Sequence, residues 1–234
     1  MDGNLVDKTI FVTGGNFGQT YIKYVAGLTH KTNPEICLIP TATADNPENI
    51  NSWYALCADL PIRPSVLRTF IRSSPGQKSF EEILLNMDAI IVGGGNTLNM
   101  LAIWETQGID RILKKAYRKG IVLAGGSAGS LCWFKSGYTD SRPKVLSHIT
   151  CLGFLDFSHC PHYHSEAGRR SAFYEALLNG QLQSAYACDD MAGLLFVNGK
   201  LKKAVSLNNE NNSYFLSVSD GEIKEDLLQA LIIH

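Results

Sequence analysis

A serine set among small residues at the end of an apolar run is the first feature of this sequence that could do chemistry. Ile121-Val-Leu-Ala124 runs into Gly125-Gly-Ser-Ala-Gly129, a G-x-S-x-G pattern, and then into Leu131-Cys-Trp-Phe134. Between a strand and a helix such a pentapeptide turns sharply. The turn lifts the Ser127 hydroxyl to the carboxyl edge of a sheet, and the small neighbours prevent collision. The N-terminal dipole of the following helix and the amide of Ala128 would then face a developing oxyanion. Gly/Ser-rich turns also serve as structural joints, so the pentapeptide alone leaves both readings open. A second turn, Val92-Gly93-Gly94-Gly95-Asn96-Thr97, also follows an apolar strand and opens a helix, with Asn96 or Thr97 as its cap. If the two strands are neighbours, as their order favours, the two turns meet at the edge where open α/β sheets bind ligands.

A serine hydroxyl is a weak nucleophile without a base. Of the six histidines, His30, His148 and His234 stand in ordinary polar contexts, and three cluster in Ser158-His159-Cys160-Pro161-His162-Tyr163-His164. Alternate residues of an extended segment point to opposite faces, and no H-E-x-x-H or carboxylate-rich helix accompanies them, so no metal site is read here. His162 is the candidate base: Pro161 fixes the backbone before it, and the segment follows a strand at Gly153-Phe-Leu-Asp-Phe157. The acid that orients the base is open among Asp140, Glu166 and the pair Asp189-Asp190. The order Ser127, Asp140, His162 is that of the α/β-hydrolases, but spacings of 13 and 22 residues leave no room for their intervening βα units.

Short β-branched runs alternate with amphipathic stretches and supply the frame for these groups. Thr9-Ile-Phe-Val12, a helix near Tyr21 to Leu28, Ile36-Cys-Leu-Ile39, a helix from about Pro47, strands near Val66 and at Asp88–Val92, and helices through Trp104 and Ile112 lead up to the strand at Ile121. That is the rhythm of a parallel sheet with crossover helices, its strands buried on both faces. After about residue 185 the pattern becomes a hairpin meander with turns at Asn198-Gly199 and Asp220-Gly221, expected as antiparallel strands at one edge of the sheet. Residues 135–144, polar and carrying Gly and Pro, are expected as a loop.

With 234 residues, 45% of them hydrophobic and 18% charged, the chain can bury a sizeable core, read as a single domain over 1–234. A net charge of -1 without blocks of one sign argues against nucleic acid or a lipid surface as partner. A small peptide substrate fits better, on a monomer or homodimer. The start, Met1-Asp-Gly-Asn-Leu-Val-Asp-Lys8, lacks a secretory pattern, and no apolar run approaches the roughly 20 residues of a spanning helix, so a soluble cytoplasmic protein is expected. The six cysteines form no C-x-x-C pair and read as buried, reduced thiols. Gly14-Gly-Asn-Phe-Gly18 departs from G-x-G-x-x-G, and no acidic residue ends the second strand, so a nucleotide cofactor is not expected.

Taken together, Phe11-Val-Thr-Gly-Gly15, Ile39-Pro-Thr-Ala42, Ile91-Val-Gly-Gly-Gly-Asn-Thr97, Gly126-Ser-Ala-Gly129 and Cys160-Pro-His-Tyr163 resemble the peptidase E family. These aspartyl dipeptidases share a fold with cyanophycinases and are similar to class I glutamine amidotransferases. The resemblance implies a three-layer α/β sandwich with a mainly parallel sheet, and no cofactor. It implies Ser127 as nucleophile, His162 as base and the amides of Gly95 and Ala128 as oxyanion hole, with Asp140 close to the third member. Cyanophycinase-like relatives place an acidic pair where Asp189 and Asp190 stand. Arg169, in the position of the arginine that reads an N-terminal aspartate, and Asn96 are the implied substrate-binding residues. Adjacent arginines such as Arg169 and Arg170 are also ordinary at a helix start. The expected activity is hydrolysis of short peptides through an acyl-enzyme. The alternatives are a β-aspartyl isopeptide hydrolase and a catalytically silent binding module of the same fold.

Overall fold

The computed structural model describes residues 6–234, so the first five residues of the start read above lie outside the described residues. The apolar runs form strands and the amphipathic stretches form helices that cover them. β1 (Thr9–Thr13), β2 (Glu35–Ile39), β3 (Arg63–Val66), β4 (Ala89–Val92) and β5 (Val122–Gly126) are parallel, in the order β1-β5-β4-β2-β3. Ile90, Ile91, Leu123 and Ala124 are inaccessible to solvent, as strands covered on both faces require.

Two helix layers provide that cover. On one face lie α1 (Gln19–Leu28) and α2 (Pro47–Cys57), which pack Tyr21, Ile22, Val25 and Trp53 against Phe11, Leu38 and Ile91. Asn46 caps α2 by accepting from the Glu48 amide, with Pro47 at the first helical position. The short α3 (Phe80–Leu84) starts from a capping box of Ser79 and Glu82. Beyond it, α4 (Thr97–Gln107) and α5 (Ile109–Arg118) cover the other face. Buried Ile109, Leu113, Ala116 and Tyr117 recur at helical spacing in α5, and each large apolar side chain so buried contributes about 1.5–3 kcal/mol. No helix among the described residues is long and apolar enough to cross a membrane.

Beyond Ser127 a single helical turn, α6 (Ala128–Leu131), leads into β6 (Phe134–Arg142), β7 (Val145–Thr150), β8 (Leu155–Cys160), α7 (Arg169–Leu178) and β9 (Ala185–Cys188). The expected loop at 135–144 is therefore mostly strand. Buried Phe134, Gly137 and Thr139 alternate with more exposed neighbours, and a Cβ on Gly137 would lie 2.4 Å from the His159 carbonyl oxygen, so β6 can lie tight against β8. Its polar composition reflects one solvated face.

The meander also departs from expectation. β10 (Ala192–Val197) and β11 (Lys200–Ser206) join the edge of the first sheet beside β1, with β14 (Ala230–Ile232) outside them. β12 (Ser213–Ser219) and β13 (Glu222–Leu228) instead complete a second sheet, β13-β12-β9-β8-β6-β7. Pairing with β9 satisfies backbone groups that an open edge would leave bare, and it buries Leu216 against Ala185, Leu182 and Phe173. All six cysteines are free and five are buried; burial pushes the Cys37 thiol up to about 11.

Candidate active site

The turn that carries Ser127 is built by close approach. A Cβ on Gly125 would meet the Gly129 carbonyl oxygen at 2.2 Å, and one on Gly129 would meet the Val92 carbonyl oxygen at 2.1 Å. The outer glycines of the pentapeptide are thus fixed by contact with each other and with β4. Between them Ser127 takes φ 55 and ψ -119, a conformation that costs about 1–3 kcal/mol and is held by the surrounding strands. Its amide donates to the Thr13 carbonyl of β1 (3.3 Å). The helix behind it is only one turn long, so the expected dipole contribution shrinks to that turn.

The adjacency expected of the two glycine turns is present: β4 pairs with β5, Val92 opposite Gly125. Gly94 lies against Ser127, where a Cβ would stand 3.2 Å from the serine Cβ. Gly95 has φ +133 and crowds the Ala42 carbonyl oxygen to 2.4 Å of any added Cβ, so no other residue fits this turn. Neither the Gly95 amide nor the Ala128 amide donates to another group among the described residues, while both residues line one cleft with Ser127.

His162 comes from the second sheet, just beyond β8, and has φ 55 after Pro161. Its Nε2 lies 2.8 Å from Ser127 Oγ, and its Nδ1 lies 2.6 Å from Asp190 Oδ1. A carboxylate oxygen accepts, so Nδ1 is the donor and Nε2 is left to accept the serine proton. Ser165 Oγ donates to the same Asp190 oxygen at 2.9 Å. Asp190 is placed by the turn between β9 and β10, and its carbonyl accepts from the Gly15 amide at 3.0 Å.

Asp140, expected as the third member, does not reach the histidine. It sits on β6 with its side chain 71% exposed, and Oδ1 stands 3.9 Å from Arg169 Nη2. Because β6 is extended, residue 140 falls on the cleft rim. The apolar end of β9 followed by Asp189-Asp190 was the signal for the observed partner; nothing in the sequence distinguished Ser165. Asp189 pairs with His164 Nδ1 at 2.8 Å, so the two adjacent aspartates hold the two alternate histidines.

A family model described as Peptidase family S51 matches residues 10–204. The chain belongs to peptidase family S51. It is thereby a serine-type peptidase. Over 223 residues it is 39% identical to the uncharacterized peptidase YgaJ of Bacillus subtilis (strain 168), covering 93% of this chain and 95% of the relative. Two solved structures share the fold at low identity. One is a candidate peptidase E protein of Listeria monocytogenes EGD-e (TM-score 0.65, 17% identity, 86% of this chain and 100% of that one). The other is a peptidase from an acI-B1 Actinobacterium (TM-score 0.72, 14% identity, 97% and 96%).

In this S51 chain the cleft beside Ser127 has a volume of about 300 Å³ and is walled by Asn96, Tyr138, Asp140, Glu166 and Arg169 among others. Asn96 is occupied as a cap: its Oδ1 accepts from the Asn99 amide at 2.9 Å and its Nδ2 donates to the Ser141 carbonyl at 3.1 Å. Arg169 is 3% exposed, donates through Nε and Nη2 to Glu166 Oε2 and through Nη1 to the Tyr138 carbonyl. Behind Ser127, fully buried His159 stacks on Phe134 at 4.3 Å, and burial lowers its pKa to about 3. Its Nδ1 faces the Tyr186 carbonyl (2.9 Å) and so donates, which leaves Nε2 of the neutral ring as an acceptor 3.0 Å from Ser130 Oγ, whose one proton also faces the Ser127 carbonyl (2.7 Å).

Proposed function

We propose that this S51 serine peptidase hydrolyses short peptides in the cytoplasm, without a cofactor, through an acyl-enzyme on Ser127. The observation that carries the reading is the unbroken chain from Ser127 Oγ to His162 Nε2 (2.8 Å) and from His162 Nδ1 to Asp190 (2.6 Å). In this reading Ser127 Oγ attacks the peptide carbonyl carbon while His162 Nε2 takes the hydroxyl proton. Asp190 fixes the ring tautomer and stabilises the imidazolium. The carbonyl oxygen, now negative, accepts from the amides of Gly95 and Ala128. Collapse breaks the C–N bond, and the leaving amine takes the proton from His162. Water, deprotonated by the same ring, then attacks the ester and frees Ser127.

A cleft of about 300 Å³ suits a residue or two beside the scissile bond, which supports short substrates. Dipeptides with an N-terminal Asp are the substrates implied by resemblance to the aspartyl dipeptidases. The position of Asp190 supports a second reading, hydrolysis of β-aspartyl isopeptide links, since the resemblance to cyanophycinases rests on that acidic pair. Labelling with a fluorophosphonate probe and mass mapping tests the mechanism. Label on Ser127, absent from Ser127→Ala, is the expected result; an unlabelled wild-type protein would indicate a silent binding module.

A further inference from the structure

A second hollow opens beside Ser127, on the side of α2 rather than of the second sheet. Its volume is about 430 Å³, and it meets the Ser127 cleft at Gly95, which lines both. Gly126, the residue before Ser127, also lines it, as does Gly94, whose added Cβ would stand 3.6 Å from Ser127 Oγ. Cleft and hollow are therefore continuous across the glycine turn, with the serine hydroxyl at the junction.

The two differ in chemistry. His162, Arg169, Glu166 and Asp140 line the cleft, whereas no ionisable side chain among the described residues lines the hollow. Its walls are Phe17, Leu38, Trp53 and Leu56, and they are fixed from behind. Trp53 Nε1 donates to the Ser65 carbonyl at 3.1 Å, and the Phe17 ring packs edge-on to Phe11 with centroids 5.9 Å apart. An apolar side chain entering this hollow sheds water against a ready surface. A charged one loses its hydration and meets no opposite charge.

A peptide bond with its carbonyl oxygen at the Gly95 and Ala128 amides has one residue on each side, and the groove offers each a place. Arg169 is the one lysine or arginine that lines either part among the described residues, so an aspartyl residue on the acyl side belongs in the cleft. The residue released as amine is left with the hollow. We propose that this hollow is the subsite for the leaving residue and binds an uncharged apolar side chain, branched aliphatic or aromatic. The proposal rests on the reading of Ser127 as nucleophile towards short aspartyl substrates.

The test is kcat/KM for Asp-Leu, Asp-Phe, Asp-Gly, Asp-Lys and Asp-Glu, and for the matching β-aspartyl series. In whichever series is cleaved, the Leu and Phe substrates should each exceed the Gly, Lys and Glu ones by at least tenfold, as loss of several buried carbons requires. Equal rates, or faster release of Gly, Lys or Glu, overturn the proposal. Asn49 and Ser52 line the hollow from exposed positions of α2, where substitution spares the core. Ser52→Trp, which fills the space, should lower the Leu to Gly ratio at least tenfold. Asn49→Arg, which brings in a cation, should shift the Glu to Leu ratio at least tenfold towards Glu. Unchanged ratios in both variants, shown folded by circular dichroism, also overturn it. Fluorophosphonate labelling separates the two levels. A labelled Ser127 with a flat series removes this proposal alone; no label, or a label without cleavage of either series, removes the reading beneath it and the proposal with it.

Discussion

His162 Nδ1 and Asp190 Oδ1 are 2.6 Å apart although 28 residues separate them in the chain. Asp190→Asn would keep the size of the side chain but offer the ring either an amide donor or a neutral acceptor, losing the fixed tautomer. We expect kcat to fall by about 10² to 10⁴ with KM nearly unchanged. Asp140→Asn, remote from the ring, should keep kcat on a neutral dipeptide within several fold. Steady-state kinetics on both variants decide between them, and the reverse ranking would restore Asp140.

Ser127→Ala and His162→Ala should each remove nearly all turnover, on the order of 10³ to 10⁶ fold, because on the proposed mechanism nucleophile and base act as one unit. For the same reason the double variant should be little worse than either. Circular dichroism and urea unfolding should show both single variants folded. More than about a tenth of the wild-type rate in either would sink the mechanism.

Acid should destabilise the fold through His159. Its folded pKa of about 3 lies below the ordinary 6.5 because the ring is buried. Between those values the unfolded chain binds a proton that the folded chain does not, so stability declines as pH falls through this window, by up to about 1.4 kcal/mol per pH unit from this group. Urea unfolding at pH 7.5 and pH 5 measures the decline, and His159→Asn should make it shallower. The ring resonances of His159 in the folded protein should stay constant over the same range; a titration midpoint near 6 would refute the assignment.

Gly129→Ala should cost about 2–4 kcal/mol, because its Cβ would meet backbone of β4 at 2.1 Å and the turn that carries Ser127 must shift to admit it. Activity should fall with it. At Gly18, where an added Cβ meets nothing within 4 Å, alanine should change stability by no more than about 1 kcal/mol. Equal effects at the two positions, measured by urea unfolding, would contradict the packing argument.

How far the sequence revealed this arrangement depended on whether the signal was local. The apolar runs and glycine turns around Ser127 and Gly95 marked their strands, because burial on both faces and close backbone approach leave residue types that can be read in place. His162 was legible from Pro161 and its motif. The identity of its acid was not, since Asp140 and Asp190 are equally plausible in the chain and differ only in where β6 and the β9–β10 turn lie. The strand at Phe134–Arg142 was hidden because one face meets water, and the division of the meander between two sheets depends on the unpaired edge of β9, which no local pattern records.

Ser127 ends β5 of the first sheet, His162 follows β8 of the second, and Asp190 stands where the chain passes from β9 to β10, from the second sheet back to the first. Neither sheet by itself holds a complete set of the three. During synthesis the serine emerges 63 residues before the aspartate, and until the last crossing strand is laid down the hydroxyl has no oriented base. On the proposed mechanism a half-made or partly unfolded chain would be harmless to peptides around it and to its own unfolded segments, and proteolytic competence would arrive only with the docking of the two sheets.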